Sequence, residues 1–436
     1  MEKGLKIAVI GGGSTYTPEL IDGFMNYREH VPIDTLVLMD LYDWRLNIVG
    51  GLARRMLERH GHPARLVLTT SRGEALEGAD FVIAQIRVGG MTARLADEII
   101  PPRYNVIGQE TVGPGGFAKA LRTVPVMLEI AHDMARLAPH AQLINFTNPS
   151  GLITEAIRRH SDVQAIGLCN LPTNMRIEIA SLLSVTPGSV TLDYVGLNHL
   201  GWVRGVWVNG ENRIKQVLQL MIEQAAQEEN PVFLPELLET LGIIPSYYLT
   251  FYYHHDRMLA TQRQAPQTRA ERAKEIEEEL LRLYADPALA DKPNLLAERG
   301  GAYYSTAAVS LMAAMVGDTG TTHILNVPNQ STFSYLPPDV VIETPCRVDA
   351  DGAHVLPAEP LPLPVRGLIE AVSASLTLTI QAAVTGDRRI ALQALLAHPL
   401  VPSFDAARSL LAALLAEHRD YLPQFVPNLT PTGEEA

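Results

Sequence analysis

Lys6-Ile-Ala-Val-Ile-Gly-Gly-Gly-Ser-Thr-Tyr16 runs an apolar strand straight into three glycines. A strand ending this way turns its backbone tightly at Gly11 and Gly13 and delivers it to the N-terminus of the next helix. Unpaired N–H groups there point at an anion such as a pyrophosphate. A second apolar strand, residues 35–39, ends in Asp40. An acid at that distance accepts hydrogen bonds from an adenosine ribose and repels a 2′-phosphate, so NAD is favoured over NADP. Tyr16 stands where the usual fingerprint has its third glycine. Gly11, Gly13, Ser14, Thr15 and Asp40 are the expected cofactor loop; a glycine turn without a ligand is the competing reading.

Outward from this stretch, apolar strands alternate with amphipathic segments at residues 6–10, 35–39, 65–69, 81–86, 142–146 and 164–168. That rhythm predicts βαβ units around a mainly parallel sheet, an α/β class with a Rossmann-like doubly wound domain. A strand pair follows at 190–197 and 201–208, with Asn209-Gly210 as a turn. Helical periodicity then dominates 214–226 and 267–284, and later 367–385 and 388–397. Proline-rich segments at 336–338 and 356–365 read as connectors around short strands. At 436 residues and 47% hydrophobic, the chain exceeds one compact unit. Two joined domains are expected: an NAD-binding unit over 1–170, and an α+β unit over 171–436 whose last helices pack back on the core.

A net charge of −13 argues against nucleic acid or an anionic membrane as partner, and an anionic substrate would need a local basic pocket. No apolar run is read as approaching the roughly 20 residues that span a bilayer. Two cysteines, Cys169 and Cys346, make no disulfide framework, and no signal-peptide pattern precedes the first strand. A cytoplasmic location is expected.

Ligands of open α/β sheets sit outside the carboxyl ends of the strands. Arg87, Asn148, Cys169, Asn170, Asn198 and His199 all follow expected strands, so these residues should converge. A soft thiolate with an imidazole suits a divalent transition metal. Two protein ligands are too few for a structural zinc site and suit an open catalytic one. In Ile244-Pro-Ser-Tyr-Tyr-Leu-Thr-Phe-Tyr-Tyr-His-His-Asp256, Pro245 suits a helix start, which would put Tyr248 and Tyr252 on one face. A tyrosine stripe serves packing unless a nearby cation or metal lowers a phenol enough to make it a base.

These residues sit in dense blocks: Gly11-Gly-Gly-Ser-Thr-Tyr-Thr-Pro18, Gln85-Ile-Arg-Val-Gly-Gly90, Gly108-Gln-Glu-Thr-Val-Gly-Pro-Gly-Gly116, Asn145-Phe-Thr-Asn-Pro-Ser150, Gly167-Leu-Cys-Asn170, Gly196-Leu-Asn-His-Leu-Gly-Trp202 and Arg299-Gly-Gly-Ala-Tyr-Tyr-Ser305. In them the chain resembles the NAD-dependent glycoside hydrolases of family four, and among these the members acting on 6-phospho-β-glucosides. The NAD-dependent members stand outside the two-carboxylate scheme of glycoside hydrolysis. The resemblance implies hydrolysis of 6-phospho-β-D-glucosides, such as cellobiose 6-phosphate, to glucose 6-phosphate by C3 oxidation, C2 deprotonation, elimination at C1, water addition and re-reduction. It implies Cys169 and His199 as manganese ligands, Tyr248 as C2 base and Glu110 as the residue raising its basicity. Arg94, Asn148 and Asn170 become substrate contacts, Arg269 a phosphate contact, and Arg87 joins the cofactor set. A homodimer or homotetramer is expected.

Tyr247 stands where a small residue is expected, so it competes with Tyr248 for the role of base, and Tyr252 is a third candidate. Asn170 replaces the Asp of α-cleaving members, and an amide donates no proton to a leaving group. Arg269 is equally readable as a solvated surface arginine. A hydroxy-acid dehydrogenase or a non-catalytic sugar-phosphate sensor are the alternatives.

Overall fold

The structure, a computed structural model, describes residues 4–299 and 304–426. The block at 299–305 therefore lies largely outside the described residues.

The described strands form one sheet. They are β1 (Leu5–Ile10), β2 (Ile33–Met39), β3 (Arg65–Thr69), β4 (Phe81–Ala84), β5 (Gln142–Asn145), β6 (Ala165–Gly167), β7 (Val190–Leu197), β8 (Leu200–Val208), β9 (Glu211–Asn212), β10 (Ile244–Pro245), β11 (Thr321–Pro328), β12 (Val341–Asp349) and β13 (Gly352–Val355). Six pair in parallel as β3-β2-β1-β4-β5-β6, the doubly wound order whose reversal between β1 and β4 opens a crevice. Beyond β6 the sheet continues antiparallel through β11, β12, β7, β8 and β10. The fold is thus a Rossmann-like α/β domain running into an antiparallel extension.

One line of paired residues crosses ten of these strands: Thr69, Met39, Ile10, Ala84, Asn145, Gly167, Asn326, Glu343, Gly196 and Gly201. It lies at the carboxyl ends of the parallel strands. Its composition changes from apolar to polar and glycine at β5, which is where the sequence puts its chemistry-bearing loops.

Several expectations shift. The ladder of β4 stops at Ala84, because Gln85 N–H still bonds Ile10 O (2.9 Å) but Ile86 N–H turns to the Thr147 hydroxyl (3.0 Å). Pro245 starts no helix. It pairs with Trp202 as the end of β10, and the chain then makes a 3-10 turn at Tyr247–Leu249 before the helix Thr250–Tyr253. The helix expected at 367 begins at Leu363, since Pro364 occupies its first turn where no N–H is needed. This helix, Leu363–Thr385, also corrects the membrane reading: by length and composition it could cross a bilayer. Its turns of Ala, Ser, Thr and Val pack instead against Gly113–Leu137 and Arg388–Ala397 inside the fold.

Gly113–Leu137 is the long helix of the interior, most of its residues buried despite Pro125. Arg122 on it is wholly buried and makes a two-pronged ion pair with Asp97. Arg122 Nε also donates to Val88 O (3.0 Å), and His418, just past the helix Phe404–Glu417, puts Nε2 2.9 Å from the same carboxylate. One buried ion pair thus ties the interior helix, the loop after β4 and the C-terminal helices together. Removing one partner of such a pair strands the other charge. Asp97→Ala should lower unfolding free energy by about 3 kcal/mol or more, read from urea unfolding; a loss below about 1 kcal/mol would show that the pair holds nothing.

Candidate active site

Gly11 follows β1 with φ +89°, and a Cβ there would lie 2.8 Å from Gln85 O. Only glycine fits such a conformation and approach. At Gly13 a Cβ would meet the Asp40 carboxylate at 2.9 Å, while the bare backbone N–H donates to Asp40 Oδ2 at 2.9 Å. Asp40 also accepts from Tyr42 N–H (3.2 Å), so the acid at the end of β2 fastens the loop from both sides. The helix Thr17–Asn26 then starts with Pro18 in its first turn.

Outside these strand ends lies a cleft of about 1390 Å³, above the roughly 300–1,000 Å³ of a single-ligand pocket. It has room for a dinucleotide and a second molecule. Gly11, Ser14, Asp40, Arg87, Arg94, Glu110, Asn148, Asn170, Tyr248 and Arg269 all line it. Gly13 does not, and Thr15 is wholly buried, its hydroxyl without a partner among the described residues.

Glu110 is held by three cations. Arg87 makes a close ion pair with it, Lys119 Nζ is 3.0 Å away and Arg94 Nη1 3.3 Å. Burial alone would raise this carboxyl, but Arg87, Lys119 and Arg94 hold it well below the usual range. Burial, with Arg87 beside it, brings the Lys119 ammonium down to about 7. Arg94 also donates to Glu98 (2.8 Å), which accepts from Ala270 N–H (2.7 Å). Sequence reasoning missed Lys119; the available signal was one lysine amid the apolar run Phe117-Ala-Lys-Ala-Leu121. It also missed Glu277, which accepts from Arg299 (3.0 Å) and Arg45 beside the glycine loop.

Cys169 follows β6 and His199 sits at the tip of the β7–β8 hairpin, where Leu197 pairs with Leu200. His199 has φ +62°, a left-handed conformation uncommon outside glycine. Cys169 Sγ and His199 Nε2 are 3.5 Å apart, both side chains at most 5% exposed. Two ligands bonding one ion at about 2.1–2.3 Å are separated by about this much, so the pair fits a metal without rearrangement. His199 Nδ1 has no partner among the described residues. Burial pushes the Cys169 thiol up and the His199 imidazole down to about 3, leaving the neutral imidazole that metals bind. No group of three or more His, Cys, Asp or Glu suited to a metal occurs among the described residues, so the pair would leave coordination positions open for other oxygen donors.

Tyr248 stacks on His199, ring centroids 3.9 Å apart and planes at 12°. Burial raises its phenol well above the usual value; Cys169 and Glu110 add to this, and a hydrogen bond to Thr111 and the charge of Arg94 oppose it. Tyr247 is 50% exposed, and Tyr252 stacks on His398 instead. Asn148 lines the cleft, and its Oδ1 has no partner among the described residues. Arg269 starts the helix Arg269–Tyr284, capped by Thr268, and is tethered through Nη2 to the Glu298 and Arg299 carbonyls (2.9 and 3.0 Å). It is exposed but fixed at the rim.

Comparison with known proteins is consistent with this geometry. Residues 6–185 match the model of family 4 glycosyl hydrolases, and 194–401 that of the family's C-terminal domain. The chain is 42% identical over 436 residues to a Bacillus subtilis (strain 168) protein named "Probable 6-phospho-beta-glucosidase", covering 98% of this chain and 99% of that one. A 6-phospho-beta glucosidase of Thermotoga maritima, solved with NAD and glucose-6-phosphate, superposes with a TM-score of 0.89 at 35% identity, over 96% of this chain and 99% of that one. Another structure of that enzyme contains manganese, NAD+ and glucose-6-phosphate; it matches with a TM-score of 0.87 at 35% identity, over 95% and 98% of the chains. With matches of this extent on both halves, the chain belongs to family 4 of the glycosyl hydrolases.

Proposed function

We propose that this protein hydrolyses 6-phospho-β-glucosides to glucose 6-phosphate and an aglycone, using NAD and a divalent metal, in the cytoplasm. The observation that carries the reading is Tyr248, which lines the cleft that begins at the glycine loop and stacks on His199, itself 3.5 Å from Cys169 and buried behind that wall. The relatives' names and bound ligands support it.

When bound, NAD supplies reversible oxidation of the sugar at C3, and the metal supplies Lewis acidity toward the C2 and C3 oxygens. Cys169 and His199 would hold the metal; Gly11, Ser14, Asp40 and Arg87 would hold the cofactor. Tyr248 takes the proton from C2, now acidic beside the C3 ketone, and the C1 leaving group departs. A metal held by Cys169 and His199 would offset the burial that otherwise keeps Tyr248 a phenol. Glu110, kept ionised by its three cations, adds negative charge near that ring and strengthens it as a base. Arg94 and Asn148 orient the sugar, and Asn148 Oδ1 suits a sugar hydroxyl as donor. Asn170 donates no proton to the departing oxygen, which suits a β-linked substrate. Arg269 offers its planar fork to the 6-phosphate at the rim.

Exhaustive chelation and removal of NAD should each abolish turnover, with manganese and NAD restoring it; full activity in stripped protein would refute the elimination cycle. Tyr248→Phe removes one oxygen and should leave the fold intact while slowing turnover about 100-fold or more. Wild-type product should carry solvent deuterium at C2, and its absence would exclude proton abstraction there. If Tyr247→Phe proves the dead variant, the base is the neighbour. Arg269→Ala should cut kcat/KM for the phosphorylated substrate about tenfold or more and leave that for the unphosphorylated glucoside unchanged; an unaltered ratio makes Arg269 a surface residue.

A further inference from the structure

Glu343 is wholly buried in β12, and its neighbours are hydrogen-bond donors: Asn326 Nδ2 (2.8 Å) and Asn198 Nδ2 (3.3 Å) on one oxygen, Tyr194 OH (3.0 Å) on the other. The amides cannot accept, so that oxygen is an obligate acceptor. Yet no cationic side chain pairs with this carboxyl among the described residues, and burial pushes it up to about 7. A buried carboxylate without a counter-charge is costly.

Its position shows where a counter-charge would come from. Glu343 pairs in register with Gly196, three residues before His199, and with Asn326, which pairs with Gly167, two residues before Cys169. Asn198, held by Glu343, immediately precedes His199 and also bonds the Cys169 thiol. One amide thus links the carboxyl to the Cys169 thiol and to the residue that immediately precedes His199.

We propose that Glu343 is a positioning residue for the metal: its charge balances the ion, and through Asn198 it fixes the two ligands. The inference rests on the reading of Cys169 and His199 as metal ligands. Outer partners of metal ligands orient them, and losing one typically weakens binding 10–100-fold.

The test measures manganese binding to the purified full-length protein, by electron paramagnetic resonance of the free ion, alongside NAD binding and thermal unfolding of metal-free samples. Glu343→Gln should bind manganese about 10–100-fold more weakly, with NAD affinity unchanged. Unaltered manganese affinity overturns the proposal, including the case where only metal-free unfolding temperature falls, which would make Glu343 a staple of the sheet. If Glu343→Gln does not fold, Asn198→Ala decides, since it cuts the link at a half-buried residue and leaves the carboxylate in place. Weaker manganese binding there supports the proposal, and wild-type affinity overturns it. A wild-type protein that binds no manganese at all would instead overturn the reading of the ligand pair, and this inference with it.

Discussion

The sheet passes from its parallel to its antiparallel half through one pairing, Asn326 with Gly167, and a second single pairing, Glu343 with Gly196, joins β12 to β7. Neighbouring strands lie about 4.8 Å apart, so three steps from β6 to β7 would hold their ends about 14 Å apart. Cys169 and His199 nevertheless meet at 3.5 Å. The loops leaving the two strands must therefore curl toward one another over the side chains of β11 and β12. Glycine at both ends of this bridge permits it. A Cβ at Gly167 would lie 2.8 Å from Asn326 Cβ, and one at Gly196 would lie 2.1 Å from Leu200 O.

Electrostatics of the cleft run against those of the molecule. The chain carries a net charge of −13, yet eight arginines and lysines face six acids around the cleft. Glu110 with Arg87, Arg94 and Lys119, and Glu277 with Arg45 and Arg299, repeat one device in which a carboxylate is shared by several cations. Each carboxylate holds its cations in place without cancelling them, so positive charge remains for an anionic ligand.

The parallel half of the fold was legible because each of its strands is a short apolar run bounded by turn residues. The glycine loop was legible because its spacing has one mechanical use. The antiparallel half was harder to read: β10 is two residues long and made by pairing with β8, and a long-range pairing leaves no local pattern. This is also why Pro245 read as a helix start. The convergence of Asn148 was legible from its place at a strand end, but that of Arg94, Glu110 and Tyr248 came through motif resemblance, since nothing in their spacing brings them together. Stacking on His199 separates Tyr248 from Tyr247 and Tyr252, and a contact between residues 49 positions apart has no trace in local sequence. Lys119 and Glu343 escaped because a lone charge within an apolar run looks the same whether it ends on the surface or in the core.

The interior helix Gly113–Leu137 is laid down early in the chain, but what covers it, Leu363–Thr385 and the helices after it, comes only from residue 363 onward. A polypeptide wired in this order cannot finish its first core until those helices emerge: the nascent chain must wait for residues 363–417 before that apolar surface is sheltered. It also resists recombination. Exchange of the segment up to residue 170 with that of another protein would separate the helix from its cover and β6 from β11.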